Sequence, residues 1–122
     1  ADNMLFNAQG EPVVIDFQLL GSGTGAYDVA YFVTQSLSMQ DASQYERELF
    51  DRWIAGLTSA GLVVDAEDLW LQYRRCALFC LAYPVIASRG MDLNNPRERL
   101  LIEMMNERFD RAVRELNLAE LM

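Results

Sequence analysis

Near the N-terminus the apolar positions fall in two short runs, Met4 to Phe6 and Val13 to Phe17, on either side of Asn7-Ala8-Gln9-Gly10-Glu11-Pro12. Turn formers between two runs of strand-forming residues predict a β-hairpin with a loop of moderate length. Further along, the period lengthens to that of helices. Tyr27 to Leu37 carries Val29, Tyr31, Phe32, Val33 and Leu37, dense enough to predict a largely buried helix. Ser43 and Glu46 have capping-box spacing and predict the start of a second, with a stripe of Tyr45, Leu49, Trp53, Ile54 and Leu57 and a stop at Gly61. Asp65 suits the N-cap of a third helix, whose first turn holds Glu67 and Asp68 where the helix dipole favours acids. After Cys76 this helix is apolar nearly all round, which predicts a place at the centre of a bundle, and Pro84 should kink it by removing the hydrogen bond to the Cys80 carbonyl. A fourth helix opens at Asn95 with Pro96 in its first position and Glu98 set to complete the cap. Its predicted core stripe is Leu101, Met105, Phe109, Ala112 and Leu116, with Glu107–Arg111 and Asp110–Arg114 as exposed ion pairs one turn apart. The tail from Leu118 to Met122 is expected to fray. The fold class is therefore α+β, mostly α: a short N-terminal hairpin followed by a helical bundle.

Composition narrows the chemistry. A chain of 122 residues, 52% of them hydrophobic, makes one domain at most. It contains no histidine, and all ten basic residues are arginine. That excludes a Ser-His-Asp triad, a Cys-His pair, a His-based zinc site, a Walker lysine and a Schiff base within these residues. Carboxylates, amides, hydroxyls, backbone and arginine remain. A net charge of −8 argues against a nucleic-acid partner and is compatible with a cationic ligand. Cys76 and Cys80, four apart in an apolar run, fit neither CxxC nor a zinc spacing, and are expected to be inert core thiols in a reducing compartment. Ala1-Asp2-Asn3 lacks the basic region of a secretory leader, and the longest apolar run, Cys76 to Ala87, is far shorter than the ~20 residues that span a bilayer. The expected compartment is the cytoplasm, with no membrane partner.

The chemistry that remains concentrates at the hairpin. Asn3 stands at the outer end of the first apolar run and Asp16 near the end of the second, so antiparallel pairing brings an amide oxygen and a carboxylate to one end of the hairpin. Two hard oxygen ligands there suit magnesium. A competing motif follows: Gly21-Ser22-Gly23-Thr24-Gly25-Ala26 satisfies the dinucleotide fingerprint G-x-G-x-x-G/A between a strand and a helix. That reading requires a second parallel strand after the helix, yet residues 43–54 have a helical pattern. The simpler account is that the glycines let the chain turn sharply, with Gln18 and Ser22 as solvated turn residues or substrate contacts.

Three segments share one further pattern: Asp2-Asn3-Met4-Leu5-Phe6, Val14-Ile15-Asp16-Phe17-Gln18 and Asp28-Val29-Ala30-Tyr31-Phe32. In order, spacing and residue type they resemble the catalytic hairpin and following helix of the aminoglycoside phosphotransferase and choline kinase-like family, relatives of the protein kinases. The resemblance implies that the fold is the C-terminal lobe of a kinase-like enzyme. It implies that Asn3 and Asp16 hold magnesium on the phosphates of ATP. Asp28 would organise the catalytic loop by accepting hydrogen bonds from its backbone. The family's His-Gly-Asp motif, its glycine-rich loop and its strand lysine are not among these 122 residues, so the chain reads as residues 1–122 of a partial lobe. The expectation is a fragment of an ATP-dependent phosphotransferase acting on a small-molecule hydroxyl, inactive as this chain alone. The alternative is a non-catalytic helical interaction module or degenerate kinase. Apolar hairpin residues left bare would drive homodimer formation.

Overall fold

The computed structural model describes residues 4–17 and 21–122. Strands β1 (Met4–Phe6) and β2 (Pro12–Val14) pair antiparallel, with Met4 opposite Val14 and Phe6 opposite Pro12. The loop between them is built by Asn7. Its backbone N–H donates to the Glu11 carbonyl at 3.0 Å, and its Oδ1 accepts from the Gln9 and Glu11 N–H groups at 3.0 and 2.8 Å. Gly10 takes φ 79°, a left-handed conformation that costs glycine no steric penalty. The strand stops at Val14 rather than running to Phe17, and Phe6 and Phe17 are more than 60% exposed.

Among the described residues five α-helices follow: α1 (Gly25–Ser36), α2 (Met39–Ser59), α3 (Ala66–Phe79), α4 (Ala82–Gly90) and α5 (Pro96–Glu115), then a 3₁₀ turn at Leu118–Leu121. The expected α+β, mostly helical architecture is what the chain adopts. Asp65 caps α3 as its sequence position indicates, its Oδ1 accepting from the N–H groups of Glu67 and Asp68. Gly61 ends α2 with φ 85°: the Leu62 N–H donates to the Leu57 carbonyl and the Gly61 N–H to that of Thr58, the paired bonds of a Schellman motif. Asn95 caps α5 ahead of Pro96 and accepts from the Arg97 N–H at 3.0 Å. Glu98 does not close a capping box; its carboxylate accepts from the Asp92 N–H and from Asn95 Nδ2.

The second helix starts earlier than the Ser43–Glu46 pair indicates. Ser38 is its N-cap, accepting from the Asp41 N–H at 3.1 Å, and Ser43 lies inside the helix donating to Glu115 Oε1 at 2.7 Å. The buried stripe of α2 is accordingly Ala42, Glu46 and Phe50, while Tyr45 is exposed. On α1 the inward face is Ala26, Ala30, Val33 and Thr34, and Tyr31 is exposed. The small side chains of Ala26, Ala30 and Ala77 let α1 and α3 approach closely, and this is the most extensive helix pairing in the fold.

Pro84 breaks the third helix instead of kinking it. With no proline N–H to receive, the Cys80 carbonyl accepts from the Tyr83 N–H at 3.1 Å, and Cys80 and Leu81 separate α3 from α4 while keeping right-handed helical φ and ψ. The break turns half of the apolar run outward: Phe79, Val85 and Ile86 are exposed, although Ala77, Cys80 and Pro84 are buried. The third helix does reach the centre of the bundle as expected, through Tyr73 and Ala77 of α3, although the run is not buried all round. That centre is Phe50 and Tyr73 with Ala26, Ala30, Ala77, Ala112 and Leu116 around them. Phe50 meets Trp70 edge to face at 4.8 Å, and the Arg47 guanidinium covers Trp70 at 4.6 Å.

Two further expectations are corrected. The tail does not fray: Leu118 is fully buried, and Arg74 reaches from α3 to donate to the Leu116 and Asn117 carbonyls at 2.7 Å each, capping the end of α5. Arg111 is not an exposed partner of Glu107. Its side chain is 4% exposed and donates to Glu46 at 2.8 Å and Glu115 at 2.9 Å, while Tyr73 donates to Glu46 at 2.6 Å. The Asp110–Arg114 pair forms on the surface at 2.8 Å as its spacing indicates. Cys76 and Cys80 are free thiols, and burial pushes Cys80 up to about 11, the behaviour of an inert core cysteine.

Candidate functional site

The residues that the sequence marks for chemistry fall on two elements. Asp16 lies just beyond β2, at the end of the hairpin where Met4 pairs with Val14. Its side chain is exposed and its backbone takes φ 65°. Asp tolerates the left-handed region better than most residues, yet there is still a cost on the order of 1 kcal/mol, and such conformations concentrate where geometry serves a site. This left-handed residue stands two positions after the last residue of β2, where the apolar run continues outside the strand. Asn3 lies outside the described residues, as does Gln18. The expected Asn3–Asp16 pairing therefore stands on the sequence.

Asp28 sits in the first turn of α1 with its side chain exposed, and no hydrogen bond or ion pair joins it to another described residue. It is not the helix cap. Thr24 fills that role, its Oγ1 accepting from the Ala26 N–H at 3.3 Å. As a first-turn acid Asp28 still complements the helix dipole, and its exposed carboxylate can also accept from another group. Sequence reading passed over Thr24; a Thr placed before a Gly-Ala-Tyr-Asp helix start was the available signal.

The dinucleotide alternative is not supported by the fold. Among the described residues the sheet is a two-stranded antiparallel hairpin, and α1 leads into α2 rather than into a parallel strand. Gly23 does not take positive φ, so it is not needed for a left-handed turn. Gly25 has a packing reason instead: a β-carbon there would lie 3.2 Å from Trp53 Cζ2. An open groove of ≈ 370 Å³ lies toward the other end of α1, floored by Phe32, Leu37 and Leu49 with Asp41 and Glu48 on its rim, and the hairpin does not line it.

The donor chemistry fits magnesium as far as it is described. That ion takes one or two protein carboxylates and completes its shell with water and substrate phosphates, and Asp16 supplies an exposed carboxylate at the end of the hairpin. Among the described residues no three His, Cys, Asp or Glu converge on a protein-only metal cage. No described helix is long and apolar enough to cross a membrane.

A helical bundle headed by an antiparallel hairpin, with Asp16 just beyond the hairpin's second strand and Asp28 on the helix after it, defines a mostly helical α+β protein. The family model described as the phosphotransferase enzyme family (APH) matches residues 1–74, more than half of the chain, and the chain belongs to that family. The match takes in the hairpin, α1, α2 and most of α3. No curated protein and no solved structure matches the chain.

Proposed function

We propose that this chain supplies the magnesium-binding and loop-organising part of an ATP-dependent phosphotransferase that phosphorylates a hydroxyl on a small molecule. Asp16, with Asn3, would hold magnesium between the nucleotide phosphates, where the ion neutralises charge developing during transfer. Asp28 would accept hydrogen bonds from the backbone of the segment entering β1 and keep it in shape. The observation carrying this reading is the left-handed, exposed Asp16 at the end of a hairpin inside the family-matched region. The cytoplasm is the compartment in which ATP and magnesium would be met. A second copy of the chain is the proposed partner of the bare hairpin.

Phosphoryl transfer depends almost wholly on positioning and charge stabilisation. No His-Gly-Asp segment lies among these residues, which contain no histidine. A polypeptide of these 122 residues is therefore expected to release no ADP above background with a panel of aminoglycoside, choline-like and sugar acceptors. Calorimetry with magnesium alone should show binding in the millimolar range (~1 mM or weaker), since the ion lacks phosphate ligands. Turnover abolished by Asp16→Ala would show that the chain is catalytically complete. A micromolar metal site lost in the same variant would show a fuller ligand set than the one proposed.

A further inference from the structure

The first turn of α1 is held at three neighbouring positions by three different helices. Thr24 Oγ1 donates to Gln72 Oε1 on α3 at 3.0 Å, and Gln72 Nε2 donates to Asp68 Oδ2 at 2.7 Å. Gly25 lies against Trp53 of α2, close enough that any β-carbon would force the ring or the turn to shift. Tyr27 shares a hydroxyl–hydroxyl hydrogen bond with Tyr83 of α4, and Phe79 meets the Tyr27 ring edge-on at 6.1 Å. The next residue in the chain is Asp28, exposed and without a partner among the described residues.

Thr24 is the side-chain cap of α1, accepting from the Ala26 N–H. The Thr24–Gln72 bond is solvent-exposed, so its share of global stability is small. Its main consequence is to fix where the cap sits. With Trp53 and Tyr83 it sets the position and rotation of the turn, and so the direction in which residue 28 leaves the helix. An acceptor that must meet backbone N–H groups needs that fixing, because a shift of about 1 Å takes a hydrogen bond out of range.

We infer that Gln72 is a positioning residue for Asp28, acting through Thr24, with Trp53 and Tyr83 as the other two points of the same clamp. The inference rests on the proposed role of Asp28 and adds the residues that make that role possible. Asp68 belongs to the clamp as well, since it orients the Gln72 amide so that its oxygen faces Thr24.

The test is amide hydrogen exchange and manganese broadening on the isotope-labelled 122-residue chain. In Gln72→Ala, the Ala26 to Val29 amides should exchange about fivefold faster, the factor to which a hydrogen bond near 1 kcal/mol converts. Amides of α5 around Arg111 should be unchanged. Gln72→Glu combined with Asp68→Asn keeps an acceptor toward Thr24 and a donor–acceptor pair behind it, and should restore slow exchange. With Mn–ATP as the probe, broadening of the Val14 to Phe17 amides should need several-fold more probe in Gln72→Ala, and the wild-type titration should return in the double variant. Unchanged exchange in the first turn, equal acceleration throughout the chain, or failure of the double variant to restore protection would overturn the clamp. If Mn–ATP broadens nothing in the unsubstituted chain, the magnesium reading of the hairpin fails, and the exchange pattern still decides whether Gln72 fixes the turn.

Discussion

Glu46 and Arg111 meet at 2.8 Å with side chains 7% and 4% exposed, and Tyr73 and Glu115 complete the group. Burial alone pulls the Arg111 guanidinium down, but the carboxylates of Glu46 and Glu115 outweigh it and raise the net value. Every member has a partner, and no buried side-chain nitrogen or oxygen among the described residues is left unsatisfied. Removing one partner of such a pair leaves a buried charge, which costs about 3–5 kcal/mol, a large part of the ~5–15 kcal/mol that holds a domain folded. Glu46→Gln is therefore expected to lose at least about 3 kcal/mol in urea unfolding; a loss below about 1 kcal/mol, the level of a surface pair, would show that the network carries little. The pH profile follows from the same neighbourhood. Burial raises Glu115, but hydrogen bonds from Ser43 and Arg111 prevail and hold it below its ordinary value of 4.5. Its contribution is thus complete above that pH and lost as pH falls through the lower folded value. At the other extreme burial lifts the Cys80 thiol from 9.0 to about 11, and burial together with Glu46 keeps the Tyr73 phenol protonated well above 10.0. Those two contributions are lost as pH rises from about 9. Urea midpoints should decline on both sides of that window, and a profile flat from pH 3 to pH 11 would contradict the assignments. None of this network shows in a linear reading. The four-residue spacing of Glu107 and Arg111 satisfies the helix pairing rule, but the rule does not say which face of α5 is turned inward. Asp16 and Asp28 are candidates because each sits in a short motif of fixed type and spacing.

The elements were predictable where a local chemical signal ends them. Asp65, Gly61 and Asn95-Pro96 place helix ends correctly because the cap bonds they make involve only near neighbours. Signals that depend on distant chain were misread. Ser43 looks like a cap, yet it serves as a donor to Glu115 across 72 residues. The apolar run after Cys76 looks like a central helix, yet Pro84 divides it and exposes one side. The hairpin is the element with the least support. Leu5, Phe6, Val13, Val14, Ile15 and Phe17 are each 39–68% exposed, and among the described residues its strands pair only with each other. Covering an apolar side chain of this size gains on the order of 1.5–3 kcal/mol when complete, and an open strand edge offers backbone groups for a second copy to satisfy. Twofold closure is the commonest way to cover one such patch. The 122-residue chain is accordingly expected to run as a dimer in light scattering coupled to size exclusion at ~50 μM, with Phe6→Ser and Phe17→Ser shifting it toward monomer. A stable monomer with the hairpin amides protected from exchange would count against this.

At the scale of the whole molecule, the family-matched part and the remainder form one folded unit. The match ends at Arg74, and that residue caps α5 through the Leu116 and Asn117 carbonyls, while Arg111 on α5 closes the Glu46 network on α2. The helices beyond residue 74 thus brace the bundle that carries the α1 turn and Asp28. Under the proposed function the hairpin would hold a magnesium–nucleotide complex through Asp16. The most direct measurement is a titration of the isotope-labelled chain with Mn–ATP, read as paramagnetic broadening of backbone amides. Broadening is expected to begin at Ile15, Asp16 and Phe17 at millimolar probe (~1 mM), to spread next to the Asp28 turn, to leave the far end of α5 sharp and to vanish in Asp16→Ala. Broadening that is uniform over the acidic surface, or that persists unchanged in Asp16→Ala, would contradict it.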